Sequence, residues 1–260
     1  MKLTENTILI TGGSNGIGLE FAKQLLVLGN TVIITGRNKT RLDEVKKKYP
    51  ALHTIQSDAG NPEDIKNLYD QVTKLYPTLN ILINNAGIMR KINLHDTTMD
   101  LENINQEIAI NLSGPVRMVN QFLPQLKTKK HAAIINVSSG IAFVPFAISP
   151  VYSATKAGLH FYTQTLRIQL KNTNVAVFEL MPPLTTTDLQ NAFSPEDMKG
   201  VVSMDVDKMV GIAMNGLRND TPEIRPGQSN MLRIMGRIAP AFILKQLSRP
   251  VDRLLAQQST

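Results

Sequence analysis

The sequence predicts an α/β fold in which helices cover both faces of a parallel sheet. Short apolar, β-branched runs alternate along the chain with longer helical patterns, and a glycine-rich turn follows the first of those runs. This alternation is typical of doubly wound sheets, in which each helix connects one strand to the next. The length of 260 residues suits one domain with a sizeable core.

The elements follow one another in order. Residues 7–11, Thr-Ile-Leu-Ile-Thr, predict the first strand, and a helix from about Ile17 to Leu28 ends at Gly29, the residue type that commonly follows a helix. Further strands are predicted at 31–35, 52–56, 80–84, 132–137 and 175–180. Further helices are predicted at 39–48, 62–76, 100–126 and 152–171.

The glycine-rich turn predicts a nucleotide site. Gly12, Gly16 and Gly18 lie where the first strand passes into the first helix. Missing side chains let a pyrophosphate approach, and the free N–H groups and dipole of the helix start favour an anion. The spacing Gly-x-x-x-Gly-x-Gly differs from the usual Gly-x-Gly-x-x-Gly fingerprint, so the turn alone is a weak signal.

The end of the second predicted strand bears on the choice of cofactor. It reads Thr35-Gly36-Arg37-Asn38. An NAD site carries an acidic residue there for the ribose hydroxyls, whereas an arginine suits the 2′-phosphate of NADP. We therefore predict NADP rather than NAD. The alternative is that Arg37 is a solvated surface side chain.

Tyr152 and Lys156 are four residues apart, so a helix places them on one face with Cβ atoms roughly 5–6 Å apart. A tyrosine pKa of about 10 must fall by about three for free proton exchange near neutrality. One ammonium group at ~5 Å favours the ionised phenolate by roughly 3 kcal/mol, and desolvation of the phenolate opposes this effect. A second positive charge is needed, and an oxidised nicotinamide ring would supply it. Taken alone, Tyr-x-x-x-Lys also fits an ordinary amphipathic helix turn.

Asn111 lies four residues before Pro115 inside a helical pattern. Because proline has no N–H, the Asn111 carbonyl is predicted to lack its helical partner. A buried carbonyl of this kind needs another partner, and a water that joins Lys156 to solvent is one candidate. The alternative is a helix kink without a functional role.

Composition excludes several classes of protein. There is no cysteine and the four histidines are scattered, so we predict no metal site and no disulfide. The net charge of +7 allows anionic partners, but with 5% aromatic residues and no tryptophan we expect no specific nucleic-acid binding. The N-terminus lacks the apolar block of a secretory signal, so we expect a cytoplasmic protein.

Several motifs occur in the order found in one family. These are Thr11 to Gly18, Asn84-Asn85-Ala86-Gly87, and the four residues Asn111, Ser139, Tyr152 and Lys156. Over residues 5–195 the chain resembles the classical short-chain dehydrogenases/reductases, which implies a Rossmann-like fold and an oxidoreductase. The implied cofactor-binding residues are Gly12, Ser14, Asn15, Gly16, Ile17, Gly18, Arg37, Asp58, Asn85, Ala86, Gly87, Tyr152, Lys156, Pro182, Thr185 and Thr187.

The resemblance implies that Asn111, Ser139, Tyr152 and Lys156 form a catalytic tetrad, and it implies individual roles for the last three. Tyr152 would be the acid/base, Ser139 would bind the substrate oxygen, and Lys156 would bind the nicotinamide ribose and lower the tyrosine pKa. The adjacent Ser138 makes the serine assignment ambiguous, although the thirteen-residue spacing from Ser139 to Tyr152 favours Ser139. A homodimer or homotetramer built from the helices at 100–126 and 152–171 is also implied.

The loop after residue 180 departs from the family pattern. It has Pro182-Pro183 where the family usually has Pro-Gly. A second proline excludes the positive φ open to glycine, so we expect a stiffer loop and a changed nicotinamide position. The Pro-Pro form is similar to that of bacterial DltE-like oxidoreductases.

The substrate is expected to be an apolar carbonyl compound or alcohol, because the residues expected around it are mostly apolar. They are Ile88, Met89, Ile141, Phe143, Phe146, Met181, Leu184, Leu189 and Phe193. The alternatives for the whole protein are an NADP-binding sensor or scaffold with little turnover, and a membrane-associated lipid reductase.

Residues 224–260 form a basic extension of the single domain, 1–260. An apolar stripe of Met231, Ile234, Met235 and Ile238 lies beside arginines, and Pro240 and Pro250 are expected to divide the remainder into short pieces. Three roles stay open: a cap over the substrate cleft, packing on a partner subunit, and contact with an anionic membrane surface. We favour the first two.

Overall fold

The structure, a computed structural model, describes residues 1–96, 101–197 and 202–258, whose strands form one parallel sheet. The strands are β1 (Thr7–Ile10), β2 (Thr31–Gly36), β3 (His53–Gln56), β4 (Ile81–Asn84), β5 (Ala132–Val137), β6 (Val175–Leu180) and β7 (Glu223–Ile224). Their order across the sheet is β3-β2-β1-β4-β5-β6-β7, and every neighbouring pair is parallel. The predicted Rossmann-like α/β fold is confirmed.

Helices connect the strands and follow the last one. They are α1 (Gly16–Val27), α2 (Lys39–Lys48), α3 (Pro62–Leu75), α4 (Leu101–Ile108), α5 (Gly114–Lys127), α6 (Pro150–Gln169), α7 (Val206–Arg218), α8 (Gln228–Ile238) and α9 (Pro240–Gln258). Short 3₁₀ segments lie at Gly140–Phe143 and Asp188–Ala192. The predicted bounds of the first four strands and three helices agree to within about one residue, whereas α7 and β7 were not predicted.

Each face of the sheet has its own apolar core. Successive strand residues point to opposite faces, so Ile8 and Ile10 of β1 pack with Phe21 of α1. Leu9, between them, packs in the other core with Phe122 of α5. The central strands are apolar on both faces because helices cover both.

The helix predicted at 100–126 is not continuous, and its first residue lies outside the described part of the chain. Between α4 and α5 the backbone widens into a π-helical turn at Ala109–Ser113, and the Gly114 N–H bonds five residues back to the Ala109 carbonyl. Pro115 lies in the first turn of α5, where a missing N–H is tolerated. The expected irregularity is present as a π turn, a form often found at functional sites.

Pro250 corrects one expectation. Pro240 does begin a new helix, but Pro250 lies inside α9 without ending it. An interior proline removes one helical hydrogen bond. The Pro250 side chain is buried, and this burial offsets part of that cost.

The strand order positions the site. Outward from β1, the chain first builds one half of the sheet through β2 and β3, and then the other half from β4. The loops at the carboxyl ends of β1 and β4 therefore diverge and leave a crevice, the place where open α/β sheets bind ligands.

Candidate active site

The glycine loop is held open by side chains from the neighbouring strand end. The hydroxyl of Thr11 accepts hydrogen bonds from the backbone N–H groups of Asn85 and Ala86 at 3.0 and 3.1 Å. The Asn85 side chain donates to the carbonyls of Thr11 and Gly12, both at 3.0 Å. Gly12 has φ +65°, and a Cβ there would lie 2.8 Å from the Ala86 Cα. Only glycine fits this turn without strain.

The start of α1 can receive an anion. Asn15, which precedes the helix, makes no side-chain capping bond to its first turn, so the N–H groups there lack a side-chain partner. Gly16 has φ +52° and a bare Cα facing the same space. A pyrophosphate group fits this helix start, because its negative charge suits the free N–H groups and the glycine leaves space for it.

One cleft of about 860 Å³ contains most of the predicted site residues. Gly18 and Asn111 do not line the cleft: Gly18 packs against the glycine loop and Asn111 lies behind the wall. The predicted residues that do line it are Gly12, Ser14, Asn15, Gly16, Ile17, Arg37, Asp58, Asn85, Ala86, Gly87, Ser139, Tyr152, Lys156, Pro182, Thr185 and Thr187.

Two arginines lie where β2 ends at the cleft. Arg37 is exposed on the rim, and its side chain has no ion-pair partner among the described residues. Arg41 also lines the cleft and pairs with Asp188 at 3.3 Å. The sequence reasoning missed Arg41, although its place one turn into α2 was a usable signal.

Helix α6 brings Tyr152 and Lys156 to one face beside the cleft. Both side chains are buried, at 6% and 3% exposed. The Lys156 Nζ donates to the Val137 carbonyl at 2.9 Å and lies 5.5 Å from the centroid of the Tyr152 ring. Nζ is therefore held at the end of β5, close to the tyrosine.

The two serines at the end of β5 have different partners. The Ser138 hydroxyl donates to the buried carboxylate of Glu179. The Ser139 side chain lies near enough to Tyr152 to lower its pKa, and the Ser139 oxygen accepts from the Ile141 N–H at 3.3 Å. Of the two serines, Ser139 is therefore the one that acts on the tyrosine, and its assignment as the serine of the site stays a prediction.

Burial is the largest influence on the pKa values of Tyr152 and Lys156. Burial raises the pKa of Tyr152, the hydrogen bond from Ser139 lowers it, and the Glu107 carboxylate raises it further. Burial lowers the pKa of Lys156 to about 8, against the opposing effect of Glu179 and Glu107. The net effect is a raised tyrosine pKa, because desolvation of the phenol outweighs the effect of Ser139. The lowering of this pKa by Lys156 stays a prediction.

Asn111 fixes the loop after β4. Its side-chain oxygen accepts from the Ile88 N–H at 2.9 Å, and its amide donates to the Ile88 carbonyl at 2.8 Å. The amide also lies 3.3 Å from the Thr155 hydroxyl on α6. The π turn that carries Asn111 is thereby tied to both the loop and α6.

Two buried carboxylates beside the site were not predicted. Glu179 on β6 bonds Ser138 and the Nδ1 of His160, the latter at 2.9 Å. Glu107 on α4 is fully buried. An acid inside the otherwise apolar run 175–180 was a signal for Glu179, whereas an amphipathic helix gives no such signal for Glu107.

The substrate end of the cleft agrees with most of the expected lining, with two corrections. Phe143 packs its ring on His160, with centroids 5.0 Å apart, and Met181 is fully buried in the wall. Neither lines the cleft. The lining residues that were expected are Ile88, Met89, Ile141, Phe146, Leu184, Leu189 and Phe193.

Helices α8 and α9 complete this end of the cleft. They contribute an apolar wall to it. A cap was one of three roles left open for this segment, and Met231 of its apolar stripe lines the cleft, whereas Ile234, Met235 and Ile238 do not. The wall consists of Met231, Leu232, Ile243, Leu247 and Pro250.

Residues 6–198 match the model of the family described as short chain dehydrogenase. The chain is 44% identical over 226 residues to the uncharacterized oxidoreductase DltE of Bacillus subtilis (strain 168), covering 86% of this chain and 89% of that protein. It is 30% identical over 214 residues to an uncharacterized oxidoreductase of Staphylococcus aureus (strain MW2), covering 82% and 92%.

Solved structures share the fold. A short chain dehydrogenase from Burkholderia cenocepacia J2315 in complex with NADP has a TM-score of 0.81 at 24% identity, covering 95% of this chain and 99% of that one. A short chain dehydrogenase/reductase from Burkholderia phymatum in complex with NAD has a TM-score of 0.78 at 18% identity, covering 90% and 93%.

Proposed function

Because the chain belongs to the short-chain dehydrogenase family, we propose that it is an NADP(H)-dependent oxidoreductase acting on an apolar carbonyl compound or alcohol. One observation carries the proposal. Ser139, Tyr152 and Lys156 line the same cleft as an open glycine loop. A proton-transfer pair beside a dinucleotide cradle fits hydride transfer coupled to proton transfer.

Each tetrad residue has a distinct role in this proposal. Tyr152 gives a proton to the substrate oxygen in reduction and takes it back in oxidation. Ser139 orients that oxygen, and Lys156 supplies positive charge beside the phenol. Asn111 fixes the position of the loop at Ile88 relative to α6 through its hydrogen bonds to both.

The cofactor site is proposed for the glycine loop and the walls around it. The bound nicotinamide would donate or accept the hydride. The first turn of α1 binds the pyrophosphate, Asp58 meets the adenine, and Thr185, Thr187 and Pro182 lie at the nicotinamide end. In support, the bare Cα of Gly16 faces Thr187, with 3.2 Å between a Cβ built there and the threonine methyl.

We infer a preference for NADP from the rim of the cleft. Arg37 and Arg41 supply two positive charges near the end of β2, and no acidic side chain lies in the segment 35–38. Arginine binds phosphate through paired hydrogen bonds. Since the structural relatives bind either NAD or NADP, the preference rests on these side chains.

The proposal also covers the domain organisation, the oligomeric state and the location of the protein. The chain acts as a single domain, 1–260, whose basic extension 224–260 covers an apolar substrate cleft. Phe161 and Ile168 are 66% and 67% exposed on α6, which supports a homo-oligomer built on that helix.

We propose a cytoplasmic protein. No helix within the described ranges has the length and apolarity needed to cross a membrane.

Contact with a membrane surface through α8 and α9 is the weaker proposal. Ile238 and Phe242 are 77% and 55% exposed beside Arg237 and Lys245. Sedimentation with anionic liposomes tests it, with neutral liposomes as the control. Equal recovery in the supernatant would exclude the contact.

The activity is tested by NADPH oxidation against a panel of apolar aldehydes and ketones, with Tyr152→Phe as the matched variant. We expect turnover by the native protein and a loss of about 10²-fold or more in the variant. Cofactor fluorescence should show that both proteins bind NADPH. Binding of NADPH by a native protein that turns over no compound would favour a sensor over an enzyme.

A further inference from the structure

Glu107 is a buried carboxylic acid without a side-chain hydrogen-bond partner among the described residues. Its exposure is 0%, and the polar group that approaches its oxygens is the backbone N–H of Arg90, outside good hydrogen-bond geometry. It lies at the end of α4, directly before the π turn and one helical turn before Asn111. Buried polar groups are nearly always bonded, so this exception calls for an explanation.

The groups around Glu107 belong to the catalytic site. Helix α4 packs on α6, and the Glu107 carboxyl acts electrostatically on both Tyr152 and Lys156. Arg90, in the loop after β4, is the other charged group that acts on it besides Lys156. The Arg90 guanidinium group is bound to the Asn103 carbonyl and the Gln106 side chain, so it forms no ion pair with Glu107.

Glu179 provides an internal comparison. It is also fully buried, but its oxygens receive hydrogen bonds from Ser138 and His160. A buried carboxylate with a purely structural role is expected to receive hydrogen bonds in this way. Glu107 has no such side-chain donor among the described residues, although it lies at the same site.

The protonation state of Glu107 follows from its surroundings. An ionised carboxylate without a hydrogen bond is far more costly to bury than a neutral acid. Burial raises the pKa of Glu107, and the opposing effects are smaller: the charge and the backbone N–H of Arg90, and the charge of Lys156. The side chain therefore favours the protonated form over a wider pH range than an exposed glutamate.

We propose that Glu107 is a positioning residue that stores a proton behind the Tyr152–Lys156 pair and returns it to Lys156 after Tyr152 has protonated the substrate. The inference rests on the proposed reductase function. It differs from a route through the Asn111 carbonyl because it places an ionisable group inside the protein.

The protons balance in each reduction. Tyr152 loses one proton to the substrate oxygen, and Lys156 restores it, becoming a neutral amine. Glu107 passes its carboxyl proton to that amine through an intervening water, which leaves a carboxylate near an ammonium group. The carboxylate then regains a proton from solvent, so one proton is taken up per turnover.

Infrared spectroscopy tests the stored proton without any substrate. The native protein at neutral pH should show a carboxylic-acid carbonyl band that shifts in deuterated water. The band should be missing in Glu107→Gln and present in Glu107→Asp, which keeps the acid on a shorter side chain. Glu102→Gln is the matched control, because Glu102 is an exposed acid on the same helix.

The kinetic test compares pH profiles. Glu107→Gln should lower kcat about tenfold with little change in KM and should remove one ionisation from the profile of kcat. Glu107→Asp should recover part of the loss, and Glu102→Gln should match the native protein.

Three results would overturn the proposal. They are the absence of an acid band assignable to Glu107, an unchanged kcat profile in Glu107→Gln, and equal losses in the Gln and Asp variants, which would indicate a packing defect. If no substrate is found, the infrared result still decides whether Glu107 holds a proton, so failure of the proposed activity remains distinguishable.

Discussion

Ser138 and Ser139 are adjacent in the chain, yet their hydroxyl groups serve different parts of the protein. The Ser138 hydroxyl donates to the buried carboxylate of Glu179, inside the wall of the site. The Ser139 side chain instead acts on Tyr152. Successive residues at the end of a strand point to opposite sides, which separates the serine that bonds Glu179 from the serine that we propose to be catalytic.

This separation predicts opposite effects of two alanine substitutions. Ser139→Ala should lower kcat/KM by about 10²- to 10³-fold with little change in stability, because it removes a donor to the reacting oxygen. Ser138→Ala should cost roughly 1.5–3 kcal/mol of stability, because it removes a hydrogen bond to a buried carboxylate. Steady-state kinetics and urea unfolding measure the two effects. An equal loss of activity at constant stability would contradict the division of roles.

Arg37 is predicted to discriminate between the two nicotinamide cofactors. Arg37→Asp should weaken NADPH binding by about 10- to 100-fold, because it replaces a charge-assisted hydrogen bond with repulsion of the 2′-phosphate. NADH binding should change little. Fluorescence titration with both cofactors measures the constants.

Lys39→Asp is the control for Arg37. It makes the same change of charge at an exposed residue that does not line the cleft. Its NADPH constant should stay close to that of the native protein. If the two variants weakened NADPH binding equally, a general loss of positive charge would explain the effect, and the assignment of Arg37 would be wrong.

Gly18 is predicted to be essential for the cofactor loop although it does not line the cleft. A Cβ at this position would overlap the Gly12 carbonyl oxygen and lie 2.5 Å from the Asn85 side-chain amide. Gly18→Ala should therefore displace the loop and raise the Kd for NADPH by about tenfold or more.

Gly211→Ala is the matched control for Gly18. Gly211 is exposed in α7, and an added Cβ there meets nothing within 4 Å. That substitution should leave NADPH binding unchanged and stabilise the helix by about 0.5–1 kcal/mol. Unchanged NADPH binding in Gly18→Ala would show that the loop does not depend on close packing at this position.

Local sequence signals predicted the parts of the fold that local physics determines. The β-branched runs predicted β1 and β2 because buried parallel strands need apolar side chains on both faces. The glycine spacing predicted the loop at Gly12 because a positive φ there excludes other residues. Tyr152 and Lys156 were predicted as neighbours because helical geometry alone places them together.

Features that depend on tertiary packing were not predictable in the same way. Pro250 is tolerated inside α9, where its side chain is buried. The apolar wall from α8 and α9 lies far along the chain from the glycine loop, so no local pattern places it over the cleft. Glu107 resembles any polar residue of an amphipathic helix until the packing of α4 on α6 shows that it is buried.

The buried acid at Glu107 predicts a pH dependence of stability. Its pKa in the folded protein is raised above the ordinary value of 4.5. Between those two values the folded protein binds more protons than the unfolded chain, so its stability falls as pH rises through that window. Glu107→Gln removes this dependence because glutamine does not ionise.

The stability gained by Glu107→Gln over the native protein should therefore be larger at neutral pH than at a pH below 4.5, the ordinary glutamate value. Urea unfolding of both proteins at the two pH values measures the difference. The raised pKa of Glu179 acts in the same direction in both proteins and cancels in the comparison. A difference that stayed constant with pH would mean that Glu107 titrates like an exposed glutamate, and the stored proton would lose its physical basis.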